Sequence, residues 1–217
     1  MNQDIFEAKY DVTKKTKTRV FFEKYKIVIY TISAVLILSL FSIFFYTDYK
    51  KDKKNLLADK YVEAKIYLEN DENQKAINIL NEIIQSNDNI YSSLAFFLML
   101  DKNLIDDQKK LSELFESVLS KNNFDKEIKN LIILKKVIFK ADFANESEIL
   151  SDIKPLITSD SVWKPHALLL MGDYFVAKQE YLKSKDFYNQ ILTMKNLHQD
   201  FYYKAKSRLN FISNEKQ

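Results

Sequence analysis

The sequence predicts an all-α protein with a single N-terminal transmembrane helix, an α-solenoid of about four helix pairs and a C-terminal capping helix. Three observations support this prediction: the composition, one uninterrupted apolar segment and a recurring apolar spacing. The chain of 217 residues contains one Gly and two Pro. Sheet proteins need many tight turns, and tight turns use these two residues. The composition therefore favours long helices joined by short turns.

The apolar segment extends from Ile27 to Tyr46 and contains no charged side chain. A helix of this length rises about 30 Å, which matches the hydrocarbon core of a bilayer. A cleaved signal peptide is not expected, because the apolar run is too long and no small-residue cleavage site follows it. We therefore expect a tail over 1–26, a transmembrane helix over 27–46, a Lys-rich stalk over 47–55 and a repeat domain over 56–217.

The charges flanking the apolar segment bear on its orientation. Residues 1–26 carry seven basic and four acidic groups, whereas residues 47–217 carry 26 of each. Short flanking segments with excess positive charge stay in the cytoplasm. The tail is thus expected to be cytoplasmic and the large domain to lie on the other side, although four Lys just after the span weaken the asymmetry.

A repeated apolar stripe follows the stalk. Four segments, beginning at Ala76, Leu111, Ile149 and Ser184, place apolar residues at i, i+3, i+4, i+7 and i+8, with Asp152 interrupting the third. This spacing is typical of an amphipathic helix, and starts separated by 35, 38 and 35 residues indicate helix–turn–helix repeats. The first helices of the four pairs are expected at Leu56–Glu69, Tyr91–Leu100, Lys126–Ala141 and Pro165–Lys178. A ninth helix, Asp200–Ile212, would shield the last apolar face.

Two of the repeats resemble the tetratricopeptide (TPR) motif, in which small residues let the two helices of a pair approach closely and large residues fill the gap. The first repeat supplies Ala64, Tyr67, Ala76 and Leu80, and the fourth supplies Gly172, Phe175, Ser184 and Tyr188. In the second and third repeats Met99 and Val137 are expected to stand where the motif has a small residue, so these two repeats are degenerate.

The whole layout is similar to the bacterial ancillary SecYEG-translocon subunit family. The stretch Leu150–Ile157 with Trp163, followed by Ala167–Tyr188, most resembles the alphaproteobacterial members. The resemblance implies a single-pass protein of the bacterial inner membrane with a periplasmic repeat domain, which contacts the secretion translocon and a periplasmic chaperone. It implies no catalytic residue. A TPR-like scaffold in cell-envelope or division-machinery assembly is the alternative.

Other function classes have little support in the residues. The chain has no Cys, and neither His166 nor His198 has a partner at the spacing of a zinc-binding motif. A single Gly excludes phosphate-binding and dinucleotide-binding loops, and a neutral domain with almost no Arg argues against nucleic acid. We therefore expect no enzymatic activity, cofactor, metal or small-molecule substrate. An enzyme with an unrecognised site would instead show a pocket with converging titratable groups.

The expected binding site is the concave groove of the solenoid, which is lined by the first helix of each pair. Three interpretations remain for each candidate: a groove position, a contact with a neighbouring helix, or a position that simply faces water. The candidate protein-binding residues are Tyr61, Lys65 and Leu68 in the first repeat and His166, Leu169, Asp173 and Val176 in the fourth. The lysines between Lys50 and Lys54 have two interpretations, as ligands of anionic lipid headgroups or as a plain polar end to the span.

Overall fold

The structure is a computed structural model that describes residues 17–121, 124–195 and 197–214. Within these ranges the chain forms nine α-helices and no strand, which confirms the predicted all-α fold. The helices are α1 Lys17–Glu69, α2 Asn73–Gln85, α3 Tyr91–Asp101, α4 Gln108–Lys121, α5 Lys126–Lys140, α6 Glu146–Thr158, α7 Lys164–Ala177, α8 Tyr181–Leu192 and α9 Gln199–Asn214.

Helix α1 contains the apolar segment. It is the one helix among the described residues that is long and apolar enough to cross a membrane, and none of its most apolar window is buried. The stalk predicted over 47–55 and the first repeat helix predicted from Leu56 belong to the same helix. The chain divides into two compact units between Asn55 and Leu56. Residues 1–16 of the predicted tail lie outside the described residues.

The core of the second unit consists of three apolar clusters that follow one another along the chain. The first joins residues from α1 to α5 around Phe96 and Phe115, and the second joins α5, α6 and α7 around Ile153 and Phe175. The third joins α7, α8 and α9 around Tyr188. Because each cluster connects helices that are close in sequence, the helices stack in the manner of a helical-repeat solenoid.

The first and fourth repeats end their first helix with the same turn. Asp71 and Gln179 have φ angles of 59° and 60°, in the left-handed region. In each case the next residue donates its backbone N–H to a carbonyl five residues back, at Tyr67 in the first repeat (2.9 Å) and Phe175 in the fourth (2.8 Å). This is the hydrogen bond of a Schellman motif, which ends a helix abruptly. The two predicted TPR-like turns therefore share one backbone geometry.

The first and fourth repeats also share a contact between a lysine and an aromatic side chain. The ammonium of Lys75 lies 5.1 Å from the ring centroid of Tyr67, and that of Lys183 lies 5.0 Å from the ring centroid of Phe175. A cation over an aromatic face is attracted by the ring quadrupole. Each lysine thus links the start of the second helix to the aromatic residue of the first, at equivalent places in both repeats.

The second repeat has the same turn with a different register from the one expected. Asn103 has a φ of 48°, and the N–H of Leu104 donates to the carbonyl of Met99 at 3.0 Å. Met99 therefore occupies the position of the aromatic residue, and the expectation that it replaces the small residue is wrong. The small position three residues earlier is taken by Phe96, whose ring meets Phe115 of α4 edge-on at 5.1 Å. A phenylalanine at this place fills the space between α3 and α4.

Candidate protein-binding surface

An open concavity lies along the first helices of the first three repeats. It has a volume of about 620 Å³, and α1, α3 and α5 all contribute to its lining. The lining residues include Tyr61 of α1, Leu94, Phe97 and Leu98 of α3, and Leu131 and Lys135 of α5. We call this surface the A-helix groove. Apolar side chains form most of its lining, and Asp101 and Lys135 add one charge of each sign, a composition suited to binding a peptide.

Helix α3 makes the groove apolar because it has no polar face along its middle. Ala95, Phe96 and Met99 are buried in the core, while Leu94 on another face is 40% exposed. An amphipathic helix would place polar residues opposite its buried stripe. The sequence analysis missed these α3 residues as site candidates, although the run Leu94–Leu100 carries the signal, since seven consecutive apolar residues must present some to solvent.

A second, smaller concavity of about 250 Å³ adjoins the A-helix groove. Lys65, Leu68 and Lys102 line it, together with Leu98, which it shares with the groove. The structure thus brings the predicted residues Tyr61, Lys65 and Leu68 together along one continuous surface. Tyr61 is half-buried there, and its burial raises the pKa of the phenol.

The fourth-repeat candidates lie elsewhere, in contact with α9. Leu169 and Val176 pack against the cluster that contains Ala205 and Ile212 of that helix. The other two candidates, His166 and Asp173, make an aromatic and a polar contact with α9. In this repeat all four candidates thus contact a neighbouring helix, while His166 and Asp173 are also exposed, and their role in a groove stays a prediction.

Two polar candidates complete the contact with α9. The ring of His166 meets Phe201 edge-on at 4.7 Å, and Asp173 pairs with Arg208 at 3.0 Å between Oδ1 and Nε. Burial, and then the positive charge of Lys204, lower the pKa of His166 despite its bond to the Val162 carbonyl. Asp173 also accepts a hydrogen bond of 2.6 Å from the hydroxyl of Tyr188. Both residues therefore hold helices together.

The most tightly grouped titratable side chains form an ion cluster across α4, α5 and α6. Lys136 and Lys140, each with a side chain 9% exposed, both pair with Asp152, at 2.9 and 3.2 Å. Glu116 and Glu148 complete the cluster. Burial acts to lower the pKa of Lys140, but the bonds to Glu148 and Asp152 outweigh it and raise that pKa. Asp152, which interrupts the third apolar stripe, thus serves as the acceptor for two buried lysines.

A further concavity lies between the second helices of the first two repeats. It has a volume of about 660 Å³, and its lining mixes amide and acidic side chains with apolar ones, among them Asn78 and Asn81 of α2 and Glu113 of α4. No group of three or more His, Asp or Glu side chains suited to hold a metal occurs among the described residues. The A-helix groove is lined mainly by leucine and aromatic side chains, so it is more apolar than this concavity between α2 and α4.

The fold and this surface define a class: an all-helical repeat protein with one helix able to cross a membrane. No protein-family model matches the sequence, and no curated protein or solved structure matches it. The resemblance to the translocon subunit family thus remains a prediction.

Proposed function

We propose that this chain is a membrane-tethered scaffold whose A-helix groove holds an apolar segment of another protein. The observation that carries the proposal is the apolar lining of the groove, in which Leu94 on α3 is exposed and Leu131 on α5 is half-buried. Contiguous exposed apolar surface on a folded domain marks an interaction site more often than a plain surface. Three lysines (Lys65, Lys102 and Lys135) outnumber the two acidic residues (Glu69 and Asp101) in the lining, which would favour a segment that also carries acidic groups.

The tether supports weak binding. In this proposal residues 27–46 cross the bacterial inner membrane, the tail lies in the cytoplasm and the repeat domain lies in the periplasm. Anchoring confines the groove to a thin layer beside the bilayer, so the local concentration of groove and membrane-bound partner is high. A shallow groove with modest affinity is then sufficient.

The narrower proposal names the partners. The chain would be an accessory subunit of the secretion translocon that links it to periplasmic chaperones, as the sequence resemblance implies. A scaffold in cell-envelope or division-machinery assembly would use the same groove and the same anchor with other partners. Neither version assigns an enzymatic activity or a cofactor to the chain.

The test is site-specific crosslinking in the native membrane. A photo-crosslinking amino acid is placed at Leu94 in the full-length chain, and captured proteins are identified by mass spectrometry. The matched control carries the same amino acid at Asn78, in the concavity between α2 and α4. We expect translocon or chaperone proteins to be captured at Leu94 alone. Capture of division or envelope-assembly proteins there would select the alternative, and capture only at Asn78 would refute the groove.

A further inference from the structure

A second binding element lies at the end of the apolar segment. Four lysines follow Tyr46 within the same helix, interrupted only by Asp52. We name Lys50, Lys51, Lys53 and Lys54 the lysine collar. We propose that the lysine collar binds the phosphate groups of anionic phospholipids at the membrane surface.

The spacing along the helix places the collar at headgroup depth. With a rise of about 1.5 Å per residue, Lys50 lies about 6 Å and Lys54 about 12 Å beyond Tyr46. The polar layer on each side of a bilayer is about 5–8 Å thick. Flexible lysine side chains reach several ångströms along the helix axis. If residues 27–46 span the bilayer, as the proposed function holds, Lys50 and Lys51 therefore lie at the depth of the lipid phosphates, and the longer reach of Lys53 and Lys54 brings their ammonium groups back towards it.

The local contacts leave three lysines of the collar, Lys50, Lys51 and Lys54, available for lipid. Lys50 rests over the ring of Tyr46, 4.6 Å from its centroid, and tyrosines are enriched at membrane interfaces. Lys50, Lys51 and Lys54 are exposed and form no ion pair with the carboxylates of the described residues. Elsewhere in the described chain several lysines do form such pairs, for example Lys60 with Glu82 at 2.7 Å. Lys50, Lys51 and Lys54 thus present charge that no ion pair within the described residues neutralises, and the four lysines outnumber Asp48 and Asp52 in this stretch.

The ligand follows from this chemistry. Each Lys close to an anionic membrane surface contributes about 1 kcal/mol of attraction, which corresponds to a factor of about five. A headgroup with a net negative charge, such as phosphatidylglycerol, gains this attraction, whereas zwitterionic phosphatidylcholine does not. The collar would also fix the depth of the helix in the bilayer, because its charges resist movement into the hydrocarbon.

The experiment uses the purified full-length chain in phosphatidylcholine vesicles with spin-labelled lipid as the probe. The motionally restricted fraction is measured for labelled phosphatidylglycerol and labelled phosphatidylcholine. The collar variant carries Lys50→Gln, Lys51→Gln, Lys53→Gln and Lys54→Gln. The matched control removes the same charge from exposed lysines of the repeat domain by Lys129→Gln, Lys154→Gln, Lys195→Gln and Lys206→Gln.

We expect the wild type and the control to prefer phosphatidylglycerol by about fivefold or more, and the collar variant to show a clearly smaller preference that comes from the tail alone. Lysines of the tail are common to all three proteins, so the difference isolates the collar. An unchanged preference in the collar variant would overturn the proposal. Displacement of labelled lipid by inorganic phosphate, at an ionic strength matched with chloride, would mean that the collar binds the free anion. Release of the chain from vesicles by alkaline carbonate would instead refute the membrane anchor.

Discussion

Gly172 of α7 lies directly against the ring of Tyr188 of α8. A Cβ atom built on Gly172 would fall 2.6 Å from Cζ and 2.7 Å from Cδ1 of that ring, closer than non-bonded carbon atoms approach. Tyr188 is fully buried and carries the hydrogen bond to Asp173. The only glycine of the chain therefore stands where α7 and α8 touch.

Gly172→Leu is expected to destabilise the repeat domain by at least about 3 kcal/mol, the upper part of the usual range for overpacking, because the ring of Tyr188 has no space to retreat. Thermal unfolding measures the effect. Ala177→Leu, at an exposed position of the same helix, is the matched control and is expected to change the melting temperature little. Equal melting temperatures for the two variants would contradict the close contact between α7 and α8.

The pH dependence of stability gives a second prediction. Burial, and then the bond to Asp173, raise the pKa of Tyr188. A phenol whose pKa is raised on folding contributes full stability below its unfolded pKa of about 10, and loses that contribution as the pH rises through the folded value. Stability should therefore fall above about pH 10, and Tyr188→Phe should make this fall shallower. Tyr203→Phe, at an exposed site, should leave the profile unchanged.

Leu94→Asp is expected to weaken partner capture by about thirtyfold, the effect of about 2 kcal/mol at an interface hot spot. The substitution should change the free energy of unfolding by no more than about 0.5 kcal/mol relative to the wild type, since the side chain is exposed. Leu182→Asp on α8, 73% exposed and outside the A-helix groove, is the control and should affect neither quantity. Pull-down and thermal unfolding are measured on the same preparations. Loss of capture in both variants would point to a surface other than the groove.

The orientation of the chain is tested by protease treatment of spheroplasts. The repeat domain is expected to be digested and the tail to be protected, because the excess positive charge lies in the tail. Lysed spheroplasts provide the control in which both parts are accessible. A protected repeat domain in intact spheroplasts would reverse the topology and exclude periplasmic chaperones as partners.

Sequence periodicity predicted the helices and the paired first and fourth repeats, because Ala64 and Gly172 are small where two helices must touch. It did not predict which face each neighbour covers. Asp173 has the register of a groove residue, yet its carboxylate contacts Tyr188 of α8 and Arg208 of α9. The partner on α9 lies 35 residues further along the chain, and spacing within one repeat carries no information about it.

The second repeat shows the same limit. Apolar spacing placed Met99 at the small position, because a shift of one helical turn leaves an all-apolar helix unchanged. The turn at Asn103 fixes the register in the structure. Likewise, Asp152 interrupts the third apolar stripe in the sequence, and only the structure shows that it pairs with Lys136 and Lys140. Patterns of apolar residues do not identify buried ion pairs.

The left-handed turns also bear on protein engineering. Among the described residues four positions, Asp71, Asn87, Asn103 and Gln179, have positive φ angles, and none of them is Gly. Non-Gly residues in this conformation cost roughly 1 kcal/mol each, and Asn and Asp are tolerated best. Gln179 lacks that tolerance, so Gln179→Gly would relieve the most strain. Replacing such turn residues by Gly should therefore raise the melting temperature without altering the core, the groove or the lysine collar.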